Sequence, residues 1–141
     1  MLAALIAFGA VSVGLAACSS APAGVGGDHF SSTTVHADGA IESAARAHPF
    51  QVWFEQHNGS LTLIANGPVN TYNIPVSQQG ATITPDASHE AGSAVGCSRP
   101  TDACTLDHWI SVWITKPFNL VLHGEELRLT QGTTSIELTR D

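Results

Sequence analysis

Asn58-Gly59 lies between two runs of alternating hydrophobicity, and this constrains the fold more than any other stretch of the chain. Phe50, Val52 and Phe54 fall on one face of the first run, with Trp53 and Glu55 on the other; Leu61-Thr62-Leu63-Ile64-Ala65 follows the turn. Asn-Gly is a strong hairpin signal because both central residues of a type I′ turn need positive φ. A two-residue turn pairs His57 with Ser60, and therefore Gln56 with Leu61, Phe54 with Leu63 and Val52 with Ala65. The apolar residues of both strands then share one face. A slip by one residue would destroy that match, so the pattern itself selects the register.

Further strands follow the same logic. Val69 to Val76 reads as extended, with Tyr72 and Ile74 on one side, and Pro75 should turn its end into an edge or a bulge. Gln78-Gln79-Gly80 turns into a short strand, Ala81 to Thr84, that ends at Pro85. Leu120 and Leu122, Leu127 and Leu129, and Ile136 and Leu138 alternate through three closing strands separated by turns at His123-Gly124-Glu125-Glu126 and Gln131-Gly132-Thr133. One helix stands out, Thr105 to about Thr115. Thr101 or Thr105 caps it, Asp107 lies in its first turn, and Lys116-Pro117 ends it. Leu106, Trp109, Ile110 and Trp113 form its buried stripe. The expected fold is α+β and mainly β: an antiparallel meander that makes a half-closed, barrel-like sheet with one helix packed on it.

The first residues say where the chain works. An uncharged apolar run ends in Leu15-Ala16-Ala17-Cys18, which resembles the lipobox of bacterial lipoprotein signal peptides. That run is too short and glycine-broken for a comfortable membrane span. The resemblance implies cleavage before Cys18, a diacylglycerol on its thiol and a palmitate-type acyl chain on its new amine. Residues 1–17 are then the signal peptide, 18–28 a flexible Ser/Ala/Pro/Gly tether and 29–141 one domain of about a hundred residues. No Lys or Arg precedes the apolar run, which departs from the usual positive start of a signal peptide. The implied location is extracytoplasmic, lipid-anchored at a bacterial cell membrane.

Net charge is −7, and the five fixed positives (Arg46, Arg99, Lys116, Arg128, Arg140) are scattered. Without a basic stripe, nucleic acid is excluded as a partner. Anionic headgroups repel such a surface, so the acyl chains must hold it at a membrane.

With Cys18 committed to lipid, Cys97 and Cys104 form an even pair, which outside the cytoplasm reads as a disulfide. The bridge would close a short loop carrying Arg99 and Pro100, the candidate binding loop. Two free thiols remain the other reading, or zinc held by Cys97, Cys104 and His108, the last two on one helix face. The seven histidines form no ligand pair of helical or strand spacing, so no metal and no cofactor is expected. No nucleophile elbow, phosphate loop or His-Glu-x-x-His occurs. His89-Glu90 is the one stretch that could supply a general base. Trp53, opposite the Phe50/Val52/Phe54 face, is the best candidate for an exposed ligand-contacting ring, whereas Trp109 and Trp113 read as core.

The order of these pieces resembles the META domain, the heat-shock lipoprotein HslJ-like family, over about residues 29–140. Phe30 to Val35 with Asp38-Gly39 looks like its opening strand, and Val52 to Phe54 and Leu61 to Leu63 like its hairpin. Gly67-Pro68-Val69-Asn70-Thr71-Tyr72 is similar to its Gly-x-Cys-Asn segment, and Ala94 to Cys97 to its small-residue cysteine element. The helix with Asp107 and the Gly124 to Leu129 and Ile136 to Leu138 strands complete the order. Val69 stands where the family has cysteine, so the bridge from that position is impossible here and Cys104 is the available partner of Cys97. The resemblance implies a small extracytoplasmic β-rich domain linked with heat or antibiotic stress, and no catalytic residue. The expected function is a membrane-anchored, non-enzymatic envelope protein with a binding or structural role in envelope maintenance or stress response. Its partners would be the membrane and either an envelope protein or a small ligand. The alternatives are a secreted inhibitor or binding module acting through the Cys97–Cys104 loop, and an unrecognised hydrolase.

Overall fold

The computed structural model describes residues 21–141; the Cys18 lipidation motif lies outside the described residues. Strand β1 (His29–His36) leads into helix α1 (Gly39–Ala47), then β2 (Gln51–His57), β3 (Ser60–Asn66), β4 (Thr71–Gln79) and β5 (Thr82–Pro85). A 3-10 turn (Ala87–His89) and a two-residue strand, β6 (Ala91–Gly92), precede helix α2 (Asp102–Trp113). Strands β7 (Phe118–His123), β8 (Glu126–Gln131) and β9 (Thr134–Arg140) finish the chain. The strands pair in the order β3-β2-β1-β9-β8-β7-β5-β4, and β4 pairs back onto β3, so eight antiparallel strands close into a barrel. β6 is appended alongside the start of β4.

The mainly β, α+β architecture is as the sequence indicates, with the sheet fully closed. The β2–β3 register matches the pattern pair for pair: Phe54 with Leu63, Val52 with Ala65, His57 with Ser60. Asn58 and Gly59 adopt φ of 50° and 78°, the turn that asparagine and glycine tolerate best. Phe54, Leu61, Leu63, Ile74, Ile83, Leu127, Leu129 and Leu138 fill the interior.

Four expectations need correction. First, there are two helices. Asp38 Oδ1 accepts from the Ala40 and Ile41 N–H groups (3.2 and 3.1 Å) and starts α1, which buries Ile41, Ala44 and Ala45. Second, α2 starts three residues earlier than expected, because Thr101 caps it through Cys104 N–H (3.2 Å). Asp107 is consequently not in its first turn; it is buried on the helix face that meets the barrel. Third, Pro75 lies inside β4, opposite Thr62. Its carbonyl accepts from Asp86 N–H (2.8 Å) at the gap between β6 and β5, so the missing N–H faces no ladder partner.

The fourth concerns the expected 18–28 tether, which is packed against the barrel from residue 21 onward. Val25 is completely buried, Gly26 bridges to Phe54, and Gly27 N–H donates to Phe54 O (3.2 Å). This turn closes the barrel end formed by the β2–β3, β4–β5 and β7–β8 connections. Helix α2 closes the opposite end. Its Ile110 and Trp113, with Ile114, meet Phe50, Val52, Leu63, Ala65, Leu129 and Ile136, residues from both walls of the barrel. No described helix is long and apolar enough to cross a membrane.

Candidate functional site

The cavity under α2 is about 10 Å³ and lined by apolar side chains alone. A space that small and apolar stays dry.

The most elaborate polar constellation ties α2 to the barrel rim. Asp107 Oδ1 accepts from the Val69 and Asn70 N–H groups (3.0 and 2.9 Å). Its Oδ2 accepts from Tyr72 Oη (2.6 Å) and Asn70 Nδ2 (2.8 Å). Asn70 Oδ1 in turn accepts from Ser93 Oγ (3.0 Å) and Val95 N–H (2.8 Å), which fixes the loop leading to the disulfide. Gly67 is required here: a Cβ would stand 2.5 Å from Asp107 Oδ1. Burial, the strongest single influence on the Asp107 carboxyl, pushes its pKa up. The hydrogen bonds from Tyr72, Asn70 and Val69 together outweigh it and hold the group below the usual carboxylate range. Burial, and then the bond to and charge of Asp107, push the Tyr72 phenol up to about 12. A phenol held neutral against a fixed carboxylate is a brace; it is no base for proton abstraction at neutral pH. Asn70 and Tyr72 lie more than thirty residues from Asp107, and no local pattern in the sequence brings them together. The available signal was Asp107 itself, an acid three residues before Ile110 on the buried stripe.

Cys97 and Cys104 are joined at disulfide distance, with Cα atoms 6.0 Å apart. Arg99 and Pro100 are exposed on the loop they close, and Arg99 makes no ion pair among the described residues. His108 is exposed on α2. Among the described residues no three His, Cys, Asp or Glu side chains converge as metal binding requires.

His89 does meet a serine and an acid. Ser88 Oγ donates to Asp86 Oδ1 (2.6 Å), and His89 Nδ1 lies 3.0 Å from Ser88 Oγ and 2.7 Å from Asp86 Oδ2. In a hydrolytic triad one imidazole nitrogen faces the serine and the other the acid. Here a single nitrogen faces both, and the hydroxyl donates to the carboxylate. The three form an exposed turn in which the Ser88 hydroxyl, then His89, lower the Asp86 pKa.

Trp113 is buried and Trp109 packs partly buried against the core. Trp53 is half-buried on the outer wall, stacked on His29 with centroids 4.3 Å apart, its Nε1 donating to Glu55 Oε1 (2.9 Å). One face of its ring is therefore covered by His29.

A shallow groove on the outer surface lies where β1 meets α1. β1 pairs with β2 only through His29–Ser31, while its pairing with β9 continues to His36. Between the free edge of β1 and the Glu42, Ala45 and Arg46 face of α1 runs a groove of about 210 Å³.

No protein-family model matches the chain, and no curated protein matches it. A solved NMR structure of a protein from Burkholderia xenovorans is similar in fold, with a TM-score of 0.58 and 13% identity over 83% of each chain.

Proposed function

We propose that this chain is a lipid-anchored envelope protein whose META-like barrel is a non-enzymatic docking body, working through its outer surface in envelope maintenance or stress response. The observation that carries this is the closure of both barrel ends by the chain itself, over an apolar interior with a cavity of only about 10 Å³. Barrels that handle ligands inside keep an open mouth and a cavity hundreds of Å³ in size. The triad-like residues on the 86–89 turn have the wrong geometry for a hydrolase.

The anchor reading rests on Leu15-Ala16-Ala17-Cys18. With packing that starts at Ala21, the three-residue step from Cys18 can reach at most about 10 Å. The end carrying Val25 then faces the bilayer, and α2 with the Cys97–Cys104 loop points away from it. Asp28 and Glu125 lie beside Arg140, which holds Gly24 O, so anionic lipid gains nothing from this end and the acyl chains retain it. A binding module acting through the outward loop is a second reading, favoured by the exposed, unpaired Arg99 on a loop held by the disulfide and by Asn70.

Metabolic labelling with an alkyne fatty acid tests the anchor. Cys18→Ser should lose the label and accumulate as unprocessed precursor. A variant that is still labelled, cut and membrane-retained overturns it.

A further inference from the structure

We infer that residues 92–96 form an open sheet edge at which two copies of this chain pair antiparallel, edge to edge. This rests on the reading that the outside of the barrel is the working surface, and not on the anchor.

β6 ends the strand order, so no strand pairs with its far side among the described residues. The extended course continues past it. Ser93 N–H donates to Thr71 O (3.0 Å), and the Asn70 side chain holds both backbone groups of Val95. Val95 N–H donates to Asn70 Oδ1 (2.8 Å), and Val95 O accepts from Asn70 Nδ2 (3.2 Å). The asparagine amide thus stands in for a neighbouring strand. Alternate residues of an extended chain turn their N–H and C=O to opposite sides. Ser93 and Val95 turn theirs to the barrel, so Gly92, Ala94 and Gly96 turn theirs outward, where no hydrogen bond reaches them among the described residues.

This edge is uncovered. Every residue from Asp86 to Asp102 is exposed, and a Cβ on Gly96 would meet no atom within 4 Å. Sheets commonly blunt such an edge with charged side chains or proline. Gly92-Ser93-Ala94-Val95-Gly96 carries neither, and its side chains are too small to keep a second strand away.

The flanking charges say which strand fits. Glu90 stands before the edge and Arg99 after it; both are exposed, and neither makes an ion pair among the described residues. A two-fold pairing centred on Ala94 sets Gly92 of one copy against Gly96 of the other and makes about six main-chain bonds. It also brings each Arg99 to the Glu90 end of the other copy, whereas parallel pairing would set like charges together. An unrelated strand has no such match at both ends. The net charge of −7 on each copy opposes association, and the contact is smaller than a permanent dimer needs. The pairing is therefore weak and reversible.

The test is oxidative cross-linking of the purified full chain in detergent micelles with copper phenanthroline. In Ala94→Cys the two central residues lie about 5.5 Å apart at Cα, within disulfide reach. The expected product is a covalent dimer whose peptide map joins position 94 to position 94 while Cys97–Cys104 stays intact. Val121→Cys, exposed on another strand, should give far less dimer. Adding Gly96→Pro, which removes one outward N–H from each copy and leaves Ser93 and Val95 alone, should lower the yield about tenfold. Adding Arg99→Glu should lower it several-fold, and Glu90→Arg on top of that should restore it. Cys18→Ser should leave the yield unchanged in the same micelles, which separates failure of the edge from failure of the anchor. A second readout needs no substitution: the Gly92, Ala94 and Gly96 amides of the ¹⁵N-labelled chain should broaden as its concentration rises. No dimer, equal dimer from Val121→Cys, a bridge mapped elsewhere, a yield indifferent to both Gly96→Pro and charge reversal, or amides that ignore concentration would each overturn the proposal.

Discussion

Asp107→Asn is the sharpest test of how α2 is held. The carboxylate accepts four hydrogen bonds, two from backbone N–H groups and two from Tyr72 and Asn70. An asparagine there does best with its oxygen on the Val69 and Asn70 N–H groups. Its amide then faces Tyr72, whose hydroxyl can reverse and accept, and Asn70 Nδ2, which cannot. One buried donor is left against another donor, at about 1–3 kcal/mol. The surviving bonds lose their charge assistance, at roughly half a kcal/mol to one each. Release of a buried charge offsets part of this, leaving a net loss of about 3 kcal/mol, or about 12 °C in Tm at this size. Asp107→Leu, which abandons all four donors, should cost more, and Tyr72→Phe, with one bond lost at a half-buried site, about 1 kcal/mol. Urea unfolding followed by tryptophan fluorescence reads all three. The pH profile adds a second signature. Since the folded-state pKa of Asp107 is depressed, the unfolded chain binds its proton first; the carboxylate's contribution is complete above about pH 4 and is lost as pH falls through the folded value. The phenol behaves in the opposite sense: raised to about 12, Tyr72 makes stability fall as pH climbs above about 10, where the unfolded phenol ionises first. Asp107→Asn should flatten the acid limb relative to the wild type. A loss below 1 kcal/mol, an inverted order of the three variants, or identical acid limbs would refute the brace.

Two other substitutions probe the frame. Trp113→Ala should cost about 3–5 kcal/mol, because its ring is 4% exposed, packs on Phe118 and donates to Thr134 Oγ1 (2.9 Å); an unchanged urea midpoint would show that the ring is not a core element. Replacing Cys97 and Cys104 together by serine should lower stability by about 2–3 kcal/mol, and the wild-type pair should resist alkylation until reduced; thiols that alkylate without reduction would remove the staple.

Strands with alternating faces were legible because their signal is local: the β2–β3 register needs only a turn and a period of two. The closing of the ring was not, because the β3–β4 and β5–β7 contacts that complete it are decided by twist and shear over the whole sheet. Helix α1 was readable in principle from Asp38, an alanine-rich stretch and the Glu42/Arg46 spacing, but Asp38-Gly39 also looks like the end of a strand. Composition misled at residues 21–28, where small residues suggest a loose linker. Pro22 and Val25 are the buried anchors that make the segment part of the barrel, and two residues give no period to detect. The disulfide partners were evident from cysteine arithmetic, whereas the β1–α1 groove depends on where β2 departs, which no local pattern encodes.

The Pro22–Val25 turn also sets how the molecule bears tension. A pull on the chain upstream of residue 21 does not reach β1 directly. It is met first by Val25 in its socket, by the Pro22–Val25 backbone bond (3.0 Å), and by Arg140, which grips Gly24 O at 2.9 Å. If that plug yields, about 27 Å of slack is released from eight residues, and only then is load applied to β1. That strand lies between β2 and β9, so a pull along its axis shears ladders on both flanks instead of unzipping one bond at a time. The small turn therefore stands in series with the barrel, upstream of β1, and takes such a load first.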